Sequence, residues 1–175
     1  PPSACCKICA LTSSAHTPPW TGDAIPGVYA AGDLCSITWP DSPHWFQMRL
    51  WSQARIQGRY AAYSMMDSLD RLEIGLSFEL FAHATQFFGQ KVVLLGLFNG
   101  QGIEGEPSFT VHTRHMLNEH YIKAVLLHGR LYGCILVGET GLEETFENLI
   151  LSGNDLSHFG DHLLDPDVEL DDYFD

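Results

Sequence analysis

The run Val28-Tyr29-Ala30-Ala31-Gly32-Asp33, followed after a loop by a helical stretch carrying Trp51-Ser52-Gln53-Ala54-Arg55-Ile56-Gln57-Gly58, constrains this chain more than any other feature. A short apolar strand that ends in small residues brings its backbone close to a ligand, because no side chain stands between them. An aspartate at the carboxyl end of such a strand accepts hydrogen bonds from ligand hydroxyls, and open α/β sheets bind ligands at that end. Gly32 and Asp33 are therefore the first candidate binding residues, with Asp33 in a binding role and not a proton-transfer one. A Gly-Asp pair after a strand can also be only a turn, in which the aspartate bonds its own backbone.

Residues 34–43 read as a loop with Trp39-Pro40-Asp41-Ser42-Pro43 as its stiff centre, and a helix then runs to about Met66. Its start is open between Ser42-Pro43, as cap and first turn, and a turn nearer Leu50. Ala54, Gly58, Ala61 or Ala62, and Met65 recur at helical spacing. Gly58 would cost about 1 kcal/mol relative to alanine in an exposed helix, so close packing against a sheet is its expected reason.

From residue 75 the pattern changes to strands, at 78–82, 91–98, 108–113, 121–127 and 131–137. His128-Gly129-Arg130 joins the last two as a hairpin. Thr140-Gly141-Leu142-Glu143 reads as a capping box that opens a helix with Leu142, Phe146, Leu149 and Ile150 on its buried face. A short helix near 156–163 precedes the end. The fold class is α+β: a strand and long helix that close an α/β binding domain, followed by an antiparallel sheet with flanking helices. Four regions result. Residues 1–24, rich in Pro, Ser, Thr, Ala and Cys and without periodicity, read as a disordered or atypical leader. Residues 25–70 are the end of the binding domain, 75–160 the α+β unit and 161–175 an acidic tail.

Charge removes several function classes. The net charge is −13, and residues 161–175 hold seven acidic side chains with no Lys or Arg. Such a chain repels phosphate backbones, which excludes direct nucleic-acid binding. No run of about 18 apolar residues is present to span a membrane. Five cysteines without a secretory signal read as reduced thiols of a cytoplasmic or nuclear protein.

Several tempting motifs fail on context. Gly100-Gln101-Gly102-Ile103-Glu104-Gly105 has dinucleotide-fingerprint spacing, but Pro107 and strand-like residues follow where a helix amino end should hold the pyrophosphate. It is expected to be a hairpin loop. Cys6-Lys7-Ile8-Cys9 has redox spacing, yet neither a helix amino end nor a second ligand pair accompanies it. His112, His115 and His120 cluster in sequence, but His112 and His115 face opposite sides of a strand. They are expected at the surface around a hairpin, with no metal site, and His83 reads as a core histidine. In the tail, acids alternate with Leu163, Leu164, Val168, Leu170, Tyr173 and Phe174, which suggests docking onto a groove.

Ile25-Pro26-Gly27-Val28-Tyr29-Ala30-Ala31-Gly32-Asp33 resembles the second half of the FAD domain of class I pyridine nucleotide-disulfide oxidoreductases, although Thr21 sits too far upstream for the family's T-x-x-x-x-V-Y-A-x-G-D pattern. Trp51-x-x-Ala54-x-x-Gln57-Gly58 is similar to the helix of ferredoxin-reductase-type members. The segments 77–83, 91–96 and 138–150 and the ending 163–175 extend the resemblance over roughly residues 25–175, the carboxyl-terminal portion of a family member. The family has a strand and turn where residues 1–24 stand, so the leader departs from it.

The resemblance implies that Asp33 bonds a flavin ribityl hydroxyl and that Trp51 lies beside the flavin pyrimidine edge. First-turn amides directed there, at the positive end of the helix, would favour anionic reduced flavin with no acid–base residue. It implies FAD as cofactor, NAD(P)H as co-substrate, an antiparallel dimerisation-like domain over 75–160, and upstream FAD and NAD domains that carry the two glycine fingerprints. It also implies association with a tRNA ligase complex, protected from oxidation, in a member without the usual redox disulfide. The chain alone is expected to be inactive. The competing reading is a non-catalytic α+β interaction module with an acidic docking tail.

Overall fold

The structure is a computed structural model that describes residues 29–34, 42–66, 68, 77–117, 119–168 and 170. The leader, Thr21, the cysteines at positions 6, 9 and 35, and residues 171–175 lie outside the described residues. The chain divides into two compact units, with the sequence boundary between Glu79 and Leu80.

The first unit holds α1, Trp51–Met65. The helix starts at Trp51 and not at Ser42-Pro43; Ser42 is buried and its hydroxyl donates to the Glu79 carbonyl. Of the expected small-residue stripe, Ala61 is buried and Ala54 half-buried, but Gly58, Ala62 and Met65 are exposed. Gly58 is exposed and nothing described lies within 4 Å of where its Cβ would stand, so close packing does not explain it. The buried residues are Gln53, Gln57, Tyr60 and Ala61, which also recur at helical spacing. Tyr60 meets Phe78 edge-on at 6.0 Å, and Trp45 meets the same ring at 5.2 Å. This aromatic cluster explains why Phe78 is not in the strand expected at 78–82. Its side chain is 1% exposed as an anchor in a turn, and the strand begins only at Ala82.

The second unit is a five-stranded antiparallel sheet. Its strands are β1 (Ala82–Phe87), β2 (Gln90–Gly96), β3 (Phe109–Met116), β4 (His120–Leu127) and β5 (Arg130–Val137). Their order is β1-β2-β5-β4-β3. The expected hairpin at His128-Gly129 is present, with both residues at positive φ. A second hairpin turns at Phe88-Gly89, where Phe88 takes φ 49° despite its bulk. The segment Leu97–Ser108 is not a hairpin loop. It carries the chain from β2 past the ends of β5 and β4 to the far edge strand, and β5 then returns to pair with β2, a Greek-key arrangement. No helix follows Gly100–Gly105, which agrees with rejecting the fingerprint there.

Ile122, Ala124 and Leu126 of β4 and Cys134 and Leu136 of β5 form the core with Phe146, Leu149 and Ile150 of α2 (Glu143–Ser152). Leu142 packs against this cluster, so the expected helix face holds. The capping box does not. The helix begins at Glu143, Leu142 is its cap residue without a side-chain bond, and the Thr140 hydroxyl has no partner. Instead Lys91 of β2 pairs with the Glu143 carboxylate at 2.8 Å. Burial pushes the Glu143 carboxyl up, but the Lys91 hydrogen bond, the helix amide and the lysine charge together hold it below its usual range. A 3-10 turn, Ser157–His162, stands near the expected last helix.

Cys134 is fully buried in β5, and loss of hydration drives its thiol far above the ordinary range. Only the thiolate attacks alkylating reagents. The native chain should therefore leave Cys134 unmodified by iodoacetamide at mildly alkaline pH and lose that protection in denaturant. Peptide mapping that found rapid native labelling there would contradict the burial.

Candidate functional site

The two halves of the sequence's leading motif meet in the first unit. Gly32 is buried, adopts φ +82°, and donates its N–H to Gln57 Oε1 at 2.7 Å. A Cβ built on Gly32 would lie 3.5 Å from the Ala54 Cβ. The Gly-Asp turn thus rests on the first and second turns of α1, where only a residue that tolerates positive φ fits without strain. Asp33 follows directly and is exposed. One helical turn, about 5.4 Å, separates Ala54 from the start of α1. Gly32, the residue before Asp33, thus stands against the first turn of this helix.

The amino-terminal end of α1 has no cap from its own N-cap residue. Leu50, the cap residue, is extended at φ −119°, ψ 144° and makes no side-chain cap bond, and the first turn has no acidic residue. The chain enters under tight control nonetheless. Gln53, itself buried, accepts from the Met48 N–H at 2.7 Å and donates to the Phe46 carbonyl at 3.1 Å. Uncapped first-turn amides at the positive end of the helix dipole attract a negatively polarised ligand edge. Trp51 is 77% exposed with the Arg55 guanidinium 5.7 Å from its ring centre, whereas Trp45 is buried. Trp51 is therefore not one of the core aromatics.

The arrangement offers an acceptor carboxylate, a Cβ-free backbone and an open helix end, all suited to binding and none to proton transfer. These groups fit the hydroxylated chain and the electron-rich edge of a flavin. Gln57 is the residue whose part in the site was not read from sequence, although it stands in the Trp51-x-x-Ala54-x-x-Gln57-Gly58 block. Its helical spacing with Gln53, Tyr60 and Ala61 was the available signal, hidden because glutamine is ordinarily a surface residue. In the second unit His115 is exposed, while His112, His120 and His83 are half-buried on strands, so His83 is not a core residue. No group of three or more potential metal ligands occurs among the described residues. No described helix is long and apolar enough to cross a membrane.

Comparison with known proteins agrees with the sequence resemblance. No family model matches the chain. A Dictyostelium discoideum protein named pyridine nucleotide-disulfide oxidoreductase domain-containing protein 1 is 47% identical over 173 residues, covering 87% of this chain and 32% of its own length. The Homo sapiens protein of that name is 51% identical over 154 residues, with 87% and 30% covered. The chain thus spans about a third of the length of these relatives, in their carboxyl-terminal portion. Among solved structures, NADH:rubredoxin oxidoreductase from Clostridium acetobutylicum superposes with a TM-score of 0.52 at 18% identity over 75% of this chain and 31% of that one. A pyridine nucleotide-disulfide family oxidoreductase from Enterococcus faecalis V583 gives 0.52 at 17% identity over 78% and 34%. At such identities the superpositions speak for the fold alone.

Proposed function

The chain is homologous to the carboxyl-terminal portion of pyridine nucleotide-disulfide oxidoreductase domain-containing protein 1, and from that premise we propose that it is the carboxyl-terminal part of an FAD-dependent NAD(P)H oxidoreductase. The observation that carries the proposal is the Gly32 N–H to Gln57 bond, which ties the Gly-Asp turn to the helix with the open end. Asp33 would accept hydrogen bonds from ribityl hydroxyls, and Gly32 would let the backbone approach. The first turn of α1, from Trp51, would stabilise negative charge at the pyrimidine edge. Bound FAD would supply hydride acceptance from the nicotinamide, and this chain would contribute binding and electrostatics with no catalytic residue of its own. Upstream FAD and NAD domains would hold the rest of the cofactor, and a tRNA ligase complex would be the partner protected from oxidation.

Purification of the two forms side by side tests this. A protein of the relatives' full length should carry about one flavin per chain, visible by its yellow absorbance, and oxidise NAD(P)H. The 175-residue chain should be colourless, because its described residues include no glycine fingerprint that opens a helix to hold the adenosine end. Stoichiometric flavin in the short chain, or none in the long one, would contradict the proposal.

A second reading, a non-catalytic interaction module with an acidic docking tail, draws support from the β1–β2 tip. There Phe88 is 91% exposed in a left-handed conformation that bulky residues avoid. A full-length protein without flavin would favour it.

A further inference from the structure

We propose that Gln53 is a positioning residue of the flavin site: it holds the segment that enters α1 so that the first-turn amides keep their place at the ligand's negative edge. The proposal rests on the flavin-binding role given to the start of α1. Gln53 stands in the first turn, three residues after the cap residue Leu50, and is 8% exposed. Both ends of its amide are engaged. Oε1 accepts from the Met48 N–H at 2.7 Å, and Nε2 donates to the Phe46 carbonyl at 3.1 Å. In a capping box the side chain at this position reaches the N–H of the cap residue itself. Gln53 reaches past Leu50 instead, while the Leu50 N–H donates to the Met48 carbonyl at 2.8 Å. Residues 46–50 are thereby fastened to the turn they feed.

Burial does not explain this fastening. Met48 and Arg49 are exposed, Phe46 and Leu50 are half-buried, and Trp51 is 77% exposed. Such a stretch has little apolar contact to fix the direction in which it meets the helix, and hydrogen bonds supply what packing does not. A side-chain amide accepts from an N–H and donates to a carbonyl at once, which a carboxylate cannot do. It also adds no negative charge. The first turn of α1 holds no acidic residue, in a chain with 22 of them, so the pull of the helix end on an anionic edge is not offset there. That pull fades within a single turn. A turn free to shift would therefore favour reduced over oxidised flavin less strongly.

Gln53→Met in the full-length protein tests this, since it keeps the side chain's size and removes both hydrogen bonds. Met48 is exposed and Phe46 half-buried, so water can reach the groups it releases and the variant should fold. Its preference for reduced over oxidised flavin should fall at least threefold, a drop of about 14 mV in the two-electron midpoint potential. Where the flavin leaves on purification, titrating FAD back in both oxidation states gives the same ratio. Ser52→Asp is the companion variant. Ser52 is exposed in the same turn, so the substitution adds a carboxylate there, leaves Gln53 in place and should also lower the potential. A fall in both variants, with circular dichroism unchanged, supports the proposal. A fall in Ser52→Asp alone keeps the helix end beside the flavin and overturns the role of Gln53. A fall in Gln53→Met alone means that Gln53 acts other than through the helix end, which overturns the proposal too. No change in either variant, or an unaltered protein without flavin, overturns the flavin-binding role of α1 along with it.

Discussion

Gly133→Ala should destabilise the sheet by about 3 kcal/mol or more, the upper range for forcing extra volume into a packed site. Gly133 lies in β5 opposite Gly96 of β2, where β2 ends and the chain turns off toward the far edge. A Cβ at position 133 would come within 2.5 Å of the Phe98 nitrogen and 2.6 Å of the Leu97 nitrogen. Those are backbone atoms, and the Leu97 N–H already donates to the Tyr132 carbonyl at 2.8 Å. No rotamer change relieves the clash. The β2–β5 pairing that closes the Greek key must give way instead. Urea unfolding followed by far-ultraviolet circular dichroism reads the shift. Gly58→Ala is the natural comparison, since that exposed helix position has open space and should gain up to about 1 kcal/mol. An unchanged midpoint for Gly133→Ala would mean that Leu97 stands farther from β5 than described.

Asp33→Ala in the full-length protein should lower flavin content by tenfold or more while leaving the circular dichroism unchanged. Asp33 is exposed, so its removal leaves no cavity and no orphaned buried group. Hydrogen bonds to charged groups are worth about 1.5–3 kcal/mol, enough for a tenfold or larger change in affinity. Gln57→Leu should lose flavin by a different route. Gln57 is 1% exposed, and the substitution strips the partner from the buried Gly32 N–H, at a cost of about 1–3 kcal/mol. Flavin loss should then accompany a lower unfolding midpoint, which Asp33→Ala does not share. Normal flavin in Asp33→Ala would remove Asp33 from the site.

Much of this was legible in the residues. The end of the long helix near Met66, the His128-Gly129 hairpin and the buried face of α2 follow from local spacing, whereas residues 29–31, expected as the end of a strand, form none. The failures have local causes too. Thr140 and Glu143 have capping-box spacing, but Lys91 from another element takes the carboxylate. Phe78 reads as strand because it is apolar beside apolar neighbours, and a turn anchored by Trp45 and Tyr60 uses the same residue type. Gly58 suggests close packing, yet the side of α1 that is buried carries Gln53 and Gln57 with Tyr60 and Ala61.

Periodicity and turn chemistry act over a few residues, so the sequence by itself determined the antiparallel character of the sheet and the placement of its helices. Only the tertiary structure decided that β5, and not β3, lies against β2, because the segment 97–108 carries no local record of which edge it reaches. Pairing across distance likewise decided that a glutamine side chain, beside Ala54, fastens the Gly-Asp turn to α1. The Gly32 amide acquires that partner only once two segments 25 residues apart come together.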